Sequence, residues 1–222
     1  MAEHHLVPFS CGQLAYVTGR FDLNRDTGLN NEFVEDLASV LNVTPGMKSS
    51  IDLSYERAIK AASNFCGGHV SVARNAFLQI VMAFIVGNND LHLKNLSIQR
   101  PITSESATGF TPIYDMVSVA PYRDYDGAGE LSLWLLESEA DNGFSTSSKE
   151  HYGYYTGHDF LALAEAIGLG SRAGRKLMEG LMKKVADKYT KIIAQSPGSE
   201  ALKLAISNRI AERLNMLNRP HL

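Results

Sequence analysis

Three side chains with hard oxygen atoms lie at a short, definite spacing in the middle of the chain. Asp90 and Asn95 are five residues apart, directly after an apolar run, and Asp115 follows 20 residues after Asn95. In phosphoryl transfer, one carboxylate orients the proton of the attacking hydroxyl, while an amide and a second carboxylate hold Mg²⁺ against the phosphates. Carboxylate and amide oxygens are the ligands that Mg²⁺ prefers. The spacing therefore indicates a phosphoryl-transfer site.

The same residues also have a simpler interpretation. Asn88, Asn89 and Asp90 could merely form a turn after a helix, because Asn and Asp favour turns. An Asp-to-Asn interval of five also arises often by chance. The catalytic loop of protein kinases has this interval and is followed by a metal-binding Asp. The interval by itself leaves both interpretations open.

The elements that must position these residues are mostly helices. Residues 70–86 are apolar on nearly all sides, which predicts a buried helix that ends at Gly87. Further helices are expected over 31–42, from about 50 to 65, and over 158–167, 171–195 and 199–217. Short strands are expected over 12–22, 95–99, 110–115 and 130–137, and the polar stretch 138–157 is expected to be mobile. The predicted fold class is mainly α (α+β), with a few short strands that carry the loops of the site.

Charge and cysteine content exclude several classes of protein. The net charge of −3 argues against a general nucleic-acid binder. The charge is uneven, however, because residues 165–222 carry 11 basic and 5 acidic side chains. This basic region is either a set of solvated helix faces or a docking surface for phosphate or an acidic partner. Two cysteines without a C-x-x-C pattern exclude a disulfide scaffold and a thiolate zinc site.

The sequence predicts no membrane association. The first ten residues lack the basic start and apolar stretch of a signal peptide. The longest apolar run, 77–87, is shorter than the roughly 20 residues that a spanning helix needs. We therefore expect a soluble, cytoplasmic protein.

The wider stretch around these residues resembles a known family. "FIVGNNDLHLKNLSI" (84–98) followed by "TPIYDMVS" (111–118) is similar to the C-terminal kinase domain of HipA-type serine/threonine kinases. These kinases are the toxins of HipBA and HipBST toxin–antitoxin systems. The family shows G-N-x-D-x-H-x-K-N-x-S and then P-x-Y-D-[LIM], and every one of these positions is filled here. With "LAYVTGRFD" (14–22) and "EDLASVLNVTPGMKSSIDLSYE" (35–56), the resemblance covers about residues 12–217.

The resemblance implies roles for the residues of the central stretch. It implies that Asp90 is the catalytic Asp and that Asn95 and Asp115 are the Mg²⁺ ligands. His92 and Lys94 fill the family's other catalytic-loop positions. His92 could instead be a packed loop histidine that makes one hydrogen bond, and Lys94 could reach a phosphate or simply be solvated.

The resemblance also implies a nucleotide site in the 12–22 hinge-like strand. Gly19, Arg20, Phe21 and Asp22 occupy the positions where the family lines adenine and ribose. The backbone of Gly19 and Phe21 would meet the adenine edge, and Phe21 could pack in the core as well. Some nearby positions depart from the family pattern: Val34 replaces a polar residue, Asn42 replaces a glycine, Ser49 lies near the usual tyrosine, and Gly19 replaces a bulkier residue.

A kinase also needs an N-lobe, with a phosphate-covering loop and a lysine for the α- and β-phosphates. The hinge-like strand starts near residue 12, which leaves no room for an N-lobe before it. We therefore expect residues 1–222 to form a single HipA-like C-lobe, with its catalytic and metal-binding segment over 87–115 and its C-terminal helices over 158–217. The N-lobe would be supplied by another polypeptide, or the chain would be a truncated or degenerate family member.

The function implied by the resemblance is that of an ATP- and Mg²⁺-dependent protein serine/threonine kinase of a toxin–antitoxin system. The implied partners are a HipS-like N-lobe subunit, a HipB-like antitoxin and a protein substrate such as a tRNA-charging enzyme, without direct nucleic-acid binding. One alternative is an inactive pseudokinase that serves as a protein-binding module. Another is a metal-dependent phosphohydrolase that uses Asp90, His92 and Asp115, because Mg²⁺–carboxylate sites also serve hydrolysis.

Overall fold

The computed structural model describes residues 1–24, 26–50, 52–122, 130–142 and 146–219. The strands in this part of the chain are β1 His4–Pro8, β2 Leu14–Thr18, β3 Glu32–Asp36, β4 Ser97–Pro101 and β5 Gly109–Phe110. The helices are α1 Leu37–Val40, α2 Tyr55–Phe65, α3 Val70–Val86, α4 Glu137–Asn142, α5 Ser147–Tyr152, α6 Gly157–Ala166, α7 Ser171–Ala186, α8 Tyr189–Gln195 and α9 Glu200–Leu217. Single 3₁₀ turns lie at Pro45–Met47 and Leu93–Asn95.

Helix α3 is the centre of the hydrophobic core. Its bounds confirm the helix predicted over 70–86. Its side chains are buried on most sides, and it packs against α2, α7 and α9. Phe84 on α3 contacts Phe160 on α6 with ring centroids 5.1 Å apart. The end of α3 is therefore fixed by the core, and the site loop begins at this end.

The antiparallel sheet β3–β4–β5 corrects the prediction of a helix over residues 31–42. Only α1 is helical there, because β3 pairs with β4 and Glu35 lies opposite Ile98. Phe33 on β3 is 51% exposed, so it does not lie on a buried helix face. The apolar spacing in this stretch is too short to distinguish the two periods, and pairing with β4 decides between them.

The strand predicted within 12–22 is confirmed as β2. It pairs with β1 in an antiparallel hairpin, a partner that the sequence patterns did not indicate. The strand expected over 110–115 is limited to β5, and the remainder is an irregular loop. The strand expected over 130–137 is wrong, since the only ladder contact there among the described residues is an isolated bridge between Ser54 and Trp134.

Three further predictions of secondary structure need correction. The helix expected from about residue 50 begins at Tyr55, after Ser54 accepts a hydrogen bond from the N–H of Arg57 at 3.1 Å. The stretch expected to be mobile contains α4 and α5, although 143–145 lies outside the described residues. The helix predicted over 171–195 is divided into α7 and α8.

Segments 130–142 and 146–156 are held to the helical core by polar contacts. Arg57 on α2 donates to Glu137 at the start of α4 at 2.8 Å. The buried Tyr155 hydroxyl donates to Glu139 at 3.0 Å. Local sequence patterns do not reveal such long-range pairings, which explains why residues 138–157 were expected to be mobile. Across the described residues, no helix has the length and apolar character that crossing a bilayer demands.

Candidate active site

The C-terminal end of α3 directs the chain into the candidate site. Gly87 ends the helix in a left-handed conformation (φ 72°), and the N–H of Asn88 donates to the carbonyl of Ala83 at 2.8 Å. A side chain at Gly87 would be strained in this conformation, and its Cβ would lie 2.8 Å from Cγ of Arg209. Asp90 therefore follows a rigid and closely packed turn.

The buried side chain of Asn88 joins two of the predicted segments. Its Oδ1 accepts a hydrogen bond from the N–H of Asp90 at 2.9 Å, and its Nδ2 donates to the carbonyl of Asp115 at 3.4 Å. The turn interpretation is thus correct for Asn88, and the same turn brings the Asp90 and Asp115 segments together. Asn88 was not among the predicted site residues.

Asn95 is tied directly to Asp90. It ends the 3₁₀ turn Leu93–Asn95, is only 7% exposed, and its Nδ2 donates to the Asp90 carbonyl at 2.9 Å. Because the amide nitrogen is engaged, Oδ1 is the atom that Asn95 can offer to a cation. Leu91 and Leu93, both fully buried, alternate with the polar residues of the loop and anchor it to the core.

Asp115 lies on the second segment in an unusual backbone conformation. Its φ of 51° is in the left-handed region, and its side chain is exposed. Conformations of this kind are costly for a non-glycine residue and are concentrated at functional sites. The preceding Tyr114 donates from its hydroxyl to the carbonyl of Lys94 at 2.9 Å and lies 2.7 Å from the hydroxyl of Ser97. Tyr114 therefore ties the Asp115 segment to the loop that carries Asp90 and Asn95.

His92 is buried beside Asp90 and contacts a lysine that sequence reasoning missed. Its Nε2 lies 2.6 Å from Nζ of Lys48 and 3.6 Å from Oδ1 of Asp90. The His92 side chain is 5% exposed, whereas that of Asp90 is 56% exposed. Burial is the main cause that lowers the pKa of His92. The negative charge of Asp90 raises this pKa, and the positive charge of Lys48 lowers it. His92 is thus a packed loop histidine, and it is also part of the site.

The hinge-like residues reach the site through an aromatic contact. The ring of Phe21 stacks on Tyr114 with centroids 6.2 Å apart. Arg20 donates from Nε to Oδ1 of Asp22 at 2.8 Å, and this hydrogen bond lowers the pKa of the Asp22 carboxyl. Gly19 lies further out, where its N–H donates to the carbonyl of Glu3 at 2.9 Å.

The predicted site residues are therefore brought together unequally. Asp90, His92, Asn95 and Asp115 are linked through Asn88 and the loop backbone, and Phe21 adjoins them through Tyr114. The side chain of Lys94 is exposed to solvent, and only its backbone takes part in these contacts. The missed residue Lys48 belongs to the family-like segment 35–56, so the resemblance contained a signal for it, but its contact with His92 spans 44 residues.

The donor set fits a hard cation that is only partly enclosed by protein. Among the described residues, no group of three or more His, Cys, Asp or Glu side chains is arranged to hold a metal ion. The Asn95 amide oxygen and the Asp115 carboxylate are the donor types that Mg²⁺ accepts, and Mg²⁺ usually keeps waters and substrate phosphates as its other ligands. The residues present therefore fit a Mg²⁺ that arrives with a phosphate compound.

A cavity of about 990 Å³ lies elsewhere, among α2, α4, α6 and α7. Its charged lining residues include Glu137, Asp141, Glu165 and Arg175, and it includes none of the predicted site residues. The candidate site lies instead at the end of α3, where a closely packed turn, the left-handed backbone of Asp115 and several polar side chains occur at short range.

Comparison with known proteins gives consistent matches over almost the whole chain. A family model described as the HipA-like C-terminal domain matches residues 1–191. A Haemophilus influenzae protein named "Putative kinase" is 33% identical over 238 aligned positions, which cover 99% of this chain and 67% of that protein.

Two solved structures have a similar fold. A chain of the Shewanella oneidensis complex of HipA, HipB and operator DNA has a TM-score of 0.70 and 16% identity, over 97% of this chain and 51% of that chain. The Helicobacter pylori proinflammatory kinase CtkA has a TM-score of 0.58 and 17% identity, over 97% of this chain and 71% of the kinase. The chain thus spans about half of the Shewanella protein. These matches confirm the predicted fold class, a mainly helical lobe with a few short strands.

Proposed function

Because the chain belongs to the family of HipA-like C-terminal domains, we propose that it is the catalytic lobe of a protein kinase. The lobe would transfer the γ-phosphoryl group of ATP to a serine or threonine hydroxyl. The observation that carries the proposal is the hydrogen bond between Asn95 and the backbone of Asp90, which couples the two loop residues that kinase chemistry needs. The relative's name and the fold of CtkA support a kinase-type transferase.

Each polar residue of the loop would have a separate role in phosphoryl transfer. The Asp90 carboxylate is 56% exposed, so it can accept the proton of a substrate hydroxyl or orient that hydroxyl. Asn95 and Asp115 would hold Mg²⁺ through their side-chain oxygens. When bound, the metal neutralises negative charge on the phosphates. The exposed ammonium group of Lys94 is suited to a phosphate or to the protein substrate, and the buried His92 supports the loop.

The hinge-like segment would hold the nucleotide. Phe21 is placed against Tyr114, one residue before Asp115, which puts an aromatic surface beside the proposed metal site. We propose that the backbone of Gly19 and Phe21 meets the adenine edge and that Arg20 and Asp22 flank the ribose. Arg20 and Asp22 form a hydrogen bond with each other in this segment.

An N-lobe would complete the site over the phosphates. The β1–β2 hairpin exposes large apolar side chains, among them Leu6 at 50%, Phe9 at 59% and Tyr16 at 65%. Clustered exposed apolar residues mark interaction surfaces. We propose that a HipS-like N-lobe docks on this hairpin, whether it comes from another polypeptide or from further sequence of the same protein.

The biological role follows from the same family membership. We propose that the lobe acts as the toxin of a toxin–antitoxin system in the cytoplasm, with a HipB-like antitoxin as partner. The structural relative from Shewanella was solved together with HipB and operator DNA, which supports this partner. The substrate would be a protein such as a tRNA-charging enzyme, and we propose no direct contact with nucleic acid.

Calorimetry of Mg-ATP binding tests the proposal. We expect micromolar binding to the wild-type chain or to its complex with an N-lobe, and loss of binding in Asp115→Ala. Asp187→Ala, which removes an exposed carboxylate at the end of α7, should bind as the wild type does. The proposal fails if a complete complex binds no Mg-ATP and Asp90→Asn changes nothing.

The same protein variants distinguish the kinase from the two alternative functions. Tight binding of a protein partner that is insensitive to Asp115→Ala would favour an inactive, pseudokinase-like binding module. Phosphate release from simple esters in the absence of nucleotide would favour a phosphohydrolase.

A further inference from the structure

Lys48 contacts the candidate site from a part of the chain distant in sequence. It follows the 3₁₀ turn Pro45–Met47, and its carbonyl accepts a hydrogen bond from the N–H of Leu93 at 3.3 Å. Its Nζ lies 2.6 Å from Nε2 of His92. Both its backbone and its side chain are therefore attached to the loop that carries Asp90.

The chemistry of the two groups fixes the direction of the hydrogen bond. A lysine ammonium group has three donors and no acceptor, so Nε2 of His92 must accept. The His92 ring is then neutral and carries its proton on Nδ1. Nδ1 is buried and makes no hydrogen bond within the described part of the chain. No partner of Nδ1 therefore favours the other tautomer.

This arrangement has a consequence for Asp90. Oδ1 of Asp90 is 3.6 Å from the same Nε2 of His92, which is beyond hydrogen-bond distance. An Nε2 atom without a proton cannot donate to Asp90, so the carboxylate remains open to a substrate hydroxyl. Without Lys48, the proton of the neutral ring could move to Nε2, and Asp90 would be the nearest acceptor.

We propose that Lys48 is a positioning residue of the phosphoryl-transfer site: it holds His92 in the Nδ1–H tautomer and thereby keeps Asp90 free for the substrate hydroxyl. This inference rests on the proposed function for its effect on rate. The tautomer itself can be measured whether or not the chain is an active kinase. Lys48 acts through His92 and contacts neither the hydroxyl nor the nucleotide in this role.

The first test is nitrogen-15 NMR of the histidine side chains at slightly alkaline pH, where an ordinary imidazole is neutral. The chain has seven histidines, and the His92 signals are identified by their loss in His92→Gln. We expect the Nδ1–H tautomer in the wild type, a switch to Nε2–H in Lys48→Met, and the wild-type tautomer in Lys48→Arg, which keeps a cationic donor. Lys176→Met removes an exposed lysine on α7 and should leave the signals unchanged.

The second test is steady-state kinetics of the complete kinase. We expect Lys48→Met to lower kcat by about 10- to 100-fold, with little change in KM for ATP, because Asp90 contacts the hydroxyl and not the nucleotide. Lys48→Arg should recover most of the rate, and far-ultraviolet circular dichroism verifies that each variant is folded.

The possible results separate this inference from the proposed function. A wild-type His92 in the Nε2–H tautomer, or an unchanged tautomer in folded Lys48→Met, overturns the role of Lys48 even if the chain is an active kinase. An inactive wild-type complex with the expected tautomers overturns the proposed function. In that case Lys48 is still the group that determines the tautomer of His92.

Discussion

The side-chain amide of Asn95 donates a hydrogen bond of 2.9 Å to the backbone carbonyl of Asp90. This contact closes the loop at the end of α3 and holds the Asp90 carboxylate at the surface while the leucines between the polar residues are buried. The backbone of Asp90 therefore helps to hold the loop together, whereas the Asp90 carboxylate contributes little to the stability of the loop. The following predictions separate these two contributions and test the elements that support the loop.

Asp90→Asn should abolish most of the activity without unfolding the chain. General acid–base groups contribute about 10²- to 10⁴-fold to rate, and we expect a loss of that size in kcat. Within the described part of the chain, the exposed carboxylate makes only the long contact to His92, so the free energy of unfolding should change by less than about 0.5 kcal/mol. Phosphate transfer and urea denaturation measure the two quantities. A parallel loss of activity and stability would show that Asp90 is a structural residue.

Gly87→Ala should destabilise the fold by at least about 1 to 2 kcal/mol, the cost of a left-handed conformation for a residue with a Cβ. Contact of the new Cβ with Arg209 adds to this cost. Gly180→Ala is the matched control, because Gly180 lies within α7 with open space around it. That change should stabilise the chain by about 0.5 to 1 kcal/mol. Thermal unfolding of the two variants should therefore shift in opposite directions.

Arg213→Met should cost about 3 to 5 kcal/mol of stability, because it leaves the Glu130 carboxylate buried without its partner. The side chains of Arg213 and Glu130 are only 7% and 13% exposed, and Arg213 also lies 4.6 Å from the ring centroid of Phe84. Arg175→Met breaks an exposed ion pair with Glu179 on α7 and should change stability by less than about 1 kcal/mol. Urea denaturation measures the free energy of unfolding of both variants. Equal losses would contradict the finding that the Arg213–Glu130 pair is buried and the Arg175–Glu179 pair is exposed.

Glu139→Gln should alter the pH dependence of stability. Burial raises the pKa of Glu139 in the folded chain, so between its ordinary pKa and the raised value the folded state binds more protons than the unfolded state. The free energy of unfolding then falls as the pH rises through this interval. Glutamine does not titrate, so the stability of the wild type relative to Glu139→Gln should decrease with rising pH above the ordinary carboxyl range.

Denaturation curves at several pH values measure this slope. An increase in the relative stability of the wild type with rising pH would contradict the assignment, because it would require a lowered pKa.

Patterns within a few residues predicted α3 and its end at Gly87 correctly. Helical periodicity and a terminating glycine are local features, because the contacts they report lie within one or two turns. The family-like stretches 84–98 and 111–118 likewise indicated Asp90, Asn95 and Asp115. Those roles remain predictions, although the structure brings the residues into one neighbourhood.

Contacts between distant segments could not be obtained from these patterns. Whether residues 31–42 formed a helix or a strand depended on pairing with β4, more than 60 residues away. The placement of segments 130–142 and 146–156 depended on partners such as Arg57 and Arg213, and the side-chain contact of His92 depended on Lys48. The sequence by itself determined the family, the central helix and the types of polar side chain in the loop. Only the tertiary structure decided which atoms of these groups meet, because packing of the core sets distances between segments that no local interaction constrains.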